Sequence, residues 1–226
     1  MRMRFALLFL AACDGPSEAP PPPETTNLAT SGIGVKLDVT SNGAAILLDA
    51  TVIASNGTPL ELGPADVFSA SAPDAPEKAL GRYAAGQYAL VMPSQSQTLS
   101  FSLLRNGKSV STTMLTLPSA FTIAAPSAPT RAMGLPLTWA PGVPGEQLTL
   151  TITGPCLPGM RLVRQPDPLG GGFTVQGADF SAATGACKLA IDLERAGAMP
   201  SALLGLASVG GAKLVQTRTL EIVTQP

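Results

Sequence analysis

Alternation of apolar and polar residues is the feature that most constrains how this chain can fold. Val35, Leu37 and Val39 are separated by single polar residues, and residues 147–153 and 187–194 alternate in the same way. Because successive side chains of a strand point to opposite faces, this pattern indicates half-buried β-strands. No segment of about twelve residues shows the 3.6-residue period of an amphipathic helix. The sequence therefore predicts an all-β protein.

Asn-Gly pairs mark the turns between the predicted strands. Both residues tolerate positive φ, so Asn42-Gly43, Asn56-Gly57 and Asn106-Gly107 favour tight turns. A two-residue loop at Asn106-Gly107 would place Leu103 opposite Val110 and one apolar face would hold Leu99, Phe101, Leu103, Val110, Thr112 and Met114. The apolar parity changes after Met114, which predicts either a β-bulge there or a strand that changes sheets.

Two segments give less regular patterns. Residues 65–85 follow Pro64 and contain Pro73 and Pro76, and they predict a loop with one possible helical turn near residues 76–80. Residues 209–223 predict a closing hairpin that turns at Gly210-Gly211.

The spacing of the predicted strands indicates two domains. Prolines between residues 119 and 136 place a boundary near residue 124. Short strands in modules of about 100 residues are typical of immunoglobulin-like sandwiches. We therefore expect two tandem immunoglobulin-like β-sandwich domains, residues 32–123 and 124–226. Gly86-Gln87-Tyr88 resembles the Gly-x-Tyr step of such strands, which implies a tyrosine hydroxyl bonded to nearby backbone.

The first thirteen residues resemble the signal of a bacterial lipoprotein. Arg2 and Arg4 precede an apolar run, and Leu10-Ala11-Ala12-Cys13 matches a lipobox. The resemblance implies that residues 1–12 are a signal peptide and that Cys13 becomes the lipidated N-terminus. An ordinary secretory leader is the alternative. Asp14 leaves the choice between inner and outer membrane open.

Residues 13–31 are predicted to be a lipid-anchored, disordered linker. Pro20–Pro23 favour an extended polyproline conformation, and the segment has little to bury. Together with the lipobox, this linker predicts a protein of the bacterial cell envelope, anchored to a membrane on its periplasmic or surface face.

Composition argues against most catalytic and nucleic-acid-binding classes. The 226 residues include no histidine, 14 Lys and Arg against 15 Asp and Glu, and a net charge of −1. Histidine-based triads and the commonest zinc ligand are therefore missing, and so are the GxSxG and GxxxxGK[ST] motifs. No cluster of Lys or Arg supplies a nucleic-acid footprint. We expect no enzyme activity, no cofactor, no metal site and no nucleic-acid partner.

Two cysteines remain once Cys13 is assigned to the lipid. Cys187 shares its parity with Leu189 and Ile191, and strand parity also places Cys156 inward. In an oxidising compartment this pair predicts a disulfide. Two buried free thiols, or half of a metal site, are the alternatives.

Three kinds of residue are candidates for binding. Trp139 and Tyr83 are candidate platforms for a glycan, although a lone tryptophan in a small sandwich commonly fills the core. Four arginines of the second domain either scatter over its surface, which we expect, or converge on an acidic partner; they are Arg161, Arg164, Arg195 and Arg218.

The second domain also resembles a domain of exported bacterial lipoproteins. The shared features are Leu-Thr-Trp-Ala-Pro at residues 137–141, Gly-Pro-Cys at 154–156, Leu-Glu-Arg at 193–195 and Gln-Thr-Arg-Thr-Leu at 216–220. This resemblance implies fold and export but no activity. The expected function is a non-catalytic, envelope-anchored interaction or structural module whose partner is an envelope protein. A carbohydrate-binding or adhesive surface module, with a glycan partner, is the alternative.

Overall fold

The computed structural model describes residues 21–127, 129–181, 185–197, 203 and 206–226. These residues form fifteen β-strands and five 3-10 turns, and no α-helix. The all-β prediction is confirmed. Among the same residues, no helix has the length and apolar character needed to cross a membrane. The predicted signal peptide and Cys13 lie outside the described residues.

Eight strands come from the first half of the chain. They are β1 Ile33–Ser41, β2 Ala45–Ala54, β3 Asp66–Ala72, β4 Ala75–Ala79, β5 Gly81–Ala84, β6 Gln87–Pro93, β7 Thr98–Arg105 and β8 Lys108–Thr116. Seven strands follow. They are β9 Ile123–Ala124, β10 Leu135–Trp139, β11 Gln147–Thr153, β12 Arg161–Arg164, β13 Gly172–Val175, β14 Cys187–Ala196 and β15 Gly210–Thr224. The 3-10 turns are Thr25–Asn27, Thr30–Gly32, Arg131–Met133, Pro158–Met160 and Gly177–Asp179.

The strands form one large sheet and two smaller ones. The large sheet has the order β12-β11-β14-β15-β1-β2-β6-β5. A four-stranded sheet, β4-β3-β7-β8, faces its β1 side, and a three-stranded sheet, β13-β10-β9, faces its β14 side. The interiors between these sheets form two separate hydrophobic clusters.

Strand β15 belongs to both halves of the large sheet. Its residues 210–216 pair in parallel with residues 35–41 of β1. Its residues 215–224 pair antiparallel with residues 187–196 of β14. Val215 therefore lies between Thr40 and Ala196, and one continuous strand connects the two halves of the molecule.

The first hydrophobic cluster is closed by residues from distant parts of the chain. Phe68 of β3 contacts Tyr88 of β6 edge-on, with ring centroids 6.0 Å apart, which joins the two sheets. Leu203, Ala212 and Leu214 also pack in this cluster. We call β1–β8 with Leu203 and residues 206–216 the first lobe. Leu203, Ala212 and Leu214 thus pack with the first cluster, although the predicted boundary at 124 assigns them to the second domain.

The second hydrophobic cluster begins at Phe121 and uses β10, β11 and β14. We call β9–β14 with residues 217–226 the second lobe. The first cluster ends at Leu117 on this side of the chain. Residues 118–122 therefore form the connection between the lobes, close to the predicted boundary.

The N-terminal segment is docked on the first lobe from Pro23 onward. Thr25 is buried, and its hydroxyl donates to Asp66 at 2.6 Å and accepts from the Gly63 N–H at 2.9 Å. Arg105 donates to Asp66 at 2.8 and 2.9 Å and to the Leu28 carbonyl at 2.7 Å. The prediction of a disordered linker to residue 31 is therefore wrong for residues 23–31. Polar groups of the segment hold it in place, together with Leu28, which packs against the first hydrophobic cluster.

The β7–β8 hairpin turns where the sequence predicts, but its register differs. Asn106 and Gly107 have φ of 52° and 71°, as a tight Asn-Gly turn requires. A bulge at Val110 then shifts the pairing, so Leu103 lies opposite Ser111 and Leu99 opposite Leu115. Val110 and Met114 are consequently exposed, and Leu115 is buried in their place. The predicted bulge exists, four residues earlier than expected.

Two further predictions are wrong. Gly210-Gly211 does not turn a hairpin; both residues lie at the start of β15, where a Cβ on Gly210 would collide with the Val35 carbonyl oxygen. Gly210 therefore serves a close approach of two backbones instead of a turn. Residues 65–85 are not a loop, because they form β3, β4 and β5, whose prolines lie in turns or on an edge strand.

Candidate functional site

A groove between the two lobes gathers charged and aromatic side chains. The turn after β1 supplies Asn42, Gly43 and Ala44, the connecting segment supplies residues 120–122, and Ala140 and Arg218 complete the lining. Its volume is about 590 Å³, within the range of small-ligand clefts. Half of the lining residues are glycine or alanine, so backbone atoms form part of the wall.

Phe121 lies between two arginines beneath this groove. The guanidinium carbon of Arg195 is 4.5 Å from the centroid of the Phe121 ring, and that of Arg218 is 5.2 Å away. Phe121 is buried, so both contacts are shielded from bulk water, which strengthens cation–π attraction. The ring thereby fixes the positions of two cations.

Arg195 is fully buried and is balanced by an acid. Its Nη1 donates to the Ser119 carbonyl at 3.3 Å and its Nη2 to the Ala140 carbonyl. Its Nε lies 3.7 Å from Glu146 Oε2 and makes no hydrogen bond to a described residue. Burial lowers the pKa of Arg195, and the charge of Glu146 opposes that shift. Arg195 and Glu146 therefore form a buried ion pair.

Glu146 is held by the connecting segment as well as by Arg195. Its Oε1 accepts from the Ser119 N–H at 3.3 Å and its Oε2 from the Val143 N–H at 2.9 Å. The buried carboxylate therefore links the β10–β11 loop to the connection between the lobes. These bonds place Arg195 and Glu146 in a structural role.

Arg218 carries a charge that no described carboxylate balances. Its Nη1 donates to Gln216 Oε1 at 3.1 Å and to the Thr217 carbonyl at 2.6 Å. Burial lowers the pKa of Arg218, and the charge of Arg195 lowers it further. Arginine nevertheless stays protonated near neutral pH. The groove thus contains a fixed positive charge.

Gly43 makes room for this guanidinium. A Cβ at Gly43 would lie 2.6 Å from Arg218 Nη2, and the glycine has φ +88°. The Asn42-Gly43 pair therefore both turns the chain and leaves space for Arg218.

Trp139 does not form a binding platform. Only 6% of its surface is exposed, and its Nε1 donates to the Gly170 carbonyl at 3.0 Å. The suggestion that Trp139 stacks on a glycan is therefore wrong, because both the ring and its polar group are already used in the second cluster. Tyr83 is 56% exposed, and its hydroxyl contacts both oxygens of Asp49 at 2.9 and 3.0 Å. The two residues lie in different lobes.

Tyr88 has the structural role that the Gly-x-Tyr resemblance implies. Its hydroxyl accepts from the Leu62 N–H at 2.9 Å and donates to Glu61 at 2.6 Å. Burial, together with the bond to Glu61, raises the pKa of Tyr88 to about 12. The hydroxyl stays neutral at physiological pH and anchors the loop before β3.

The predicted disulfide between Cys156 and Cys187 is confirmed, with a Cα–Cα distance of 6.1 Å. It lies at the end of β14 that is remote from the first lobe. No group of three or more His, Cys, Asp or Glu side chains suited to a metal occurs among the described residues.

Only two of the four arginines come together. Arg161 is exposed and Arg164 pairs with Asp179 at 2.9 Å, whereas Arg195 and Arg218 flank Phe121. Strand parity could have found Arg195, because it continues the inward series Leu189, Ile191, Leu193. The roles of Phe121 and Glu146 had no such signal, since both lie in irregular segments.

Comparisons with known proteins add little to this picture. No family model matches the chain, and no curated protein matches it. Among solved structures, the FN1–FN3 domains of chicken CNTN1 align over 91% of this chain and 69% of that chain, with 12% identity and a TM-score of 0.30. At this TM-score the likeness indicates neither a shared topology nor a shared function.

Proposed function

We propose that this chain is a non-catalytic interaction module, tethered to the bacterial cell envelope by a lipid on Cys13. The lipobox-like Leu10-Ala11-Ala12-Cys13 and the proline-rich residues after it support the tether. Two or more acyl chains on one residue hold a protein stably at a membrane. Residues 14–22 would then span roughly 30 Å in a polyproline conformation.

The observation that carries the proposal is the direction of the strands. The docked segment enters β1 at Ile33, and β1 runs from there to Ser41. Strand β15 runs parallel to β1 and continues into the second lobe. The second lobe is therefore at the end of the molecule opposite the entry of the tether. Along β15 alone the body extends about 50 Å, so a tethered molecule presents the second lobe outward.

Cysteine substitutions test the tether. We expect the native protein to partition into detergent and to yield an N-terminal peptide that begins with acylated Cys13. The Cys13→Ser variant should appear in the aqueous phase, and the Cys156→Ser/Cys187→Ser double variant should keep the acyl groups. A Cys13→Ser variant that still partitions into detergent would contradict the tether.

Photo-crosslinking tests the interaction. A photoreactive residue is introduced at Ala140, which is exposed in the second lobe and lines the groove, and at Tyr83, which is 56% exposed in the first lobe. We expect cells to give one adduct of defined mass from the Ala140 position and none from Tyr83. The absence of an adduct from positions sampled across the second lobe would contradict an interaction role.

A further inference from the structure

The groove beside Arg218 has the properties of a binding site for an acidic segment of another protein. We propose that an extended acidic segment of a partner lies in this groove and pairs one carboxylate with Arg218. The proposal rests on the proposed interaction function and names the surface that would serve it.

The guanidinium of Arg218 is oriented and only partly used. Arg218 donates two hydrogen bonds to described residues, and both come from Nη1. The Phe121 ring contacts the guanidinium from one side. Nε and Nη2 remain as two adjacent donors. Two parallel N–H donors are the geometry that binds a carboxylate in bidentate fashion.

Neighbouring groups in the groove are also donors. Asn42 Oδ1 accepts from the Ala44 and Ala45 N–H groups, both at 2.9 Å, so its amide nitrogen has two hydrogens for other partners. Thr122 is exposed and carries a hydroxyl. None of the residues that line the groove is acidic. Charge complementarity therefore favours an anion.

The wall of the groove favours an extended peptide over a small acid. No backbone hydrogen bond outside strands joins Ala120, Phe121 or Thr122 to another described residue. Ala120 and Thr122 are exposed, so their backbone groups can pair with a second backbone, as in strand addition. Gly43, Ala44 and Ala140 have short side chains, which let such a backbone approach closely.

The acidic segment must come from outside this chain. Asp14 and Glu18 are the acidic residues that precede the described part. Glu18 is five residues before Pro23, a reach of about 17 Å, whereas β1 separates the docked segment from the groove by about 30 Å. Asp14 is next to the proposed lipid anchor. Neither can reach Arg218 from the membrane side.

The experiment uses the purified full chain and a blocked hexaglutamate peptide as the probe. Binding is followed by the NMR signal of Arg218 Nε and by the fluorescence of Trp139, whose neighbour Ala140 lines the groove. We expect saturable binding in the millimolar range or tighter. Hexaglutamine should not bind, and acetate should bind at least about tenfold more weakly than hexaglutamate, since it lacks the backbone.

Two variants and one control make the result specific. Arg218→Gln and Asn42→Asp should each weaken hexaglutamate binding about tenfold or more. Asn42→Asp keeps the oxygen that accepts from Ala44 and Ala45, so the turn is retained while a negative charge enters the groove. Lys213→Gln makes the same charge change as Arg218→Gln on the exposed face of the same strand and should leave affinity unchanged.

Several results would overturn the proposal. They are the absence of saturable hexaglutamate binding, equal loss of affinity in Lys213→Gln, unchanged affinity in both groove variants, and acetate binding as tight as that of hexaglutamate. None of these readouts involves Cys13 or a membrane. A failure here therefore leaves the tether and the crosslinking result standing.

Discussion

At the scale of single residues, the buried pair Arg195–Glu146 has the largest energetic consequence. Transfer of both charges from water is costly, and their separation of 3.7 Å leaves Arg195 Nε without a hydrogen bond to a described residue. Such a pair contributes little net stability, yet loss of one member leaves a buried charge without compensation.

Glu146→Gln should therefore lower the free energy of unfolding by about 3 kcal/mol in urea titrations. Glu221→Gln is the matched control, because Glu221 forms a solvent-exposed pair with Lys188 at 2.7 Å and should change stability by less than about 1 kcal/mol. Addition of Arg195→Met to Glu146→Gln should recover part of the loss. A Glu146→Gln variant as stable as Glu221→Gln would contradict this account.

Asp66 gives the docked N-terminal segment a pH dependence. Burial raises the pKa of Asp66, but the hydrogen bonds from Arg105 and Thr25 and the charge of Arg105 outweigh burial and lower it below its usual range. Because the folded pKa is lower than that of an unfolded aspartate, about 3.9, the stabilisation is present above that pH. It is lost as the pH falls through the folded pKa.

Asp66→Asn should accordingly reduce the slope of stability against pH below about pH 4. The measurement is the midpoint of urea unfolding between neutral and acid pH. Asp38→Asn, on the exposed face of β1, is the control and should retain the native slope. Identical slopes in the Asp66→Asn variant and the native protein would exclude Asp66 as the source.

At the scale of elements, the disulfide closes the segment between β11 and β14. The two cysteines are 31 residues apart. On the chain-entropy account, a loop of this length stabilises the folded state by about 3–4 kcal/mol. This segment carries β12, β13 and two 3-10 turns, so it has few regular contacts of its own.

Cys156→Ser/Cys187→Ser should lower the free energy of unfolding by about 3 kcal/mol, measured by denaturant titration. The reduced native protein is the control and should lose a similar amount. Hydrogen exchange should rise most in residues 154–181. Unchanged stability after both treatments would show that the denatured chain is already restricted without the bond.

Elements with strict alternation could be predicted, whereas their register and neighbours could not. The sequence pattern of β1, β11 and β14 corresponds to strands with alternating burial. The bulge at Val110 has no local signal, because Ser and Thr on both sides suit either face. Gly210-Gly211 was misleading, since glycine serves a turn and a close backbone approach equally.

At the scale of the whole molecule, the shared strand β15 makes the two lobes depend on each other. The first lobe lacks part of its sheet without residues 210–216, and the second lacks part of its sheet without residues 215–224. Composition and strand spacing predict two consecutive domains. They carry no information about the pairing of β15 with β1, which lies 175 residues earlier in the chain. The sequence could not predict the groove beside Arg218 for the same reason, because the groove forms only where the two lobes meet.

Removal of residues 213–226 should abolish cooperative unfolding of both lobes, as measured by calorimetry and circular dichroism. Removal of residues 1–12, the proposed signal peptide, is the control and should leave the transition unchanged, because the proposed mature protein begins at Cys13. A first lobe that keeps its own transition after the C-terminal truncation would show that the lobes fold independently.

The parallel pairing of β1 with β15 also sets an order for folding. Residues 35–41 leave the ribosome early, but their partner strand is synthesised some 175 positions later. Contacts of such sequence separation are slow to form, because a long loop must close first. The sheet that joins the two lobes is therefore completed only after β15 has been synthesised, and a chain that stalls before residue 210 leaves the edge of β1 without its partner strand.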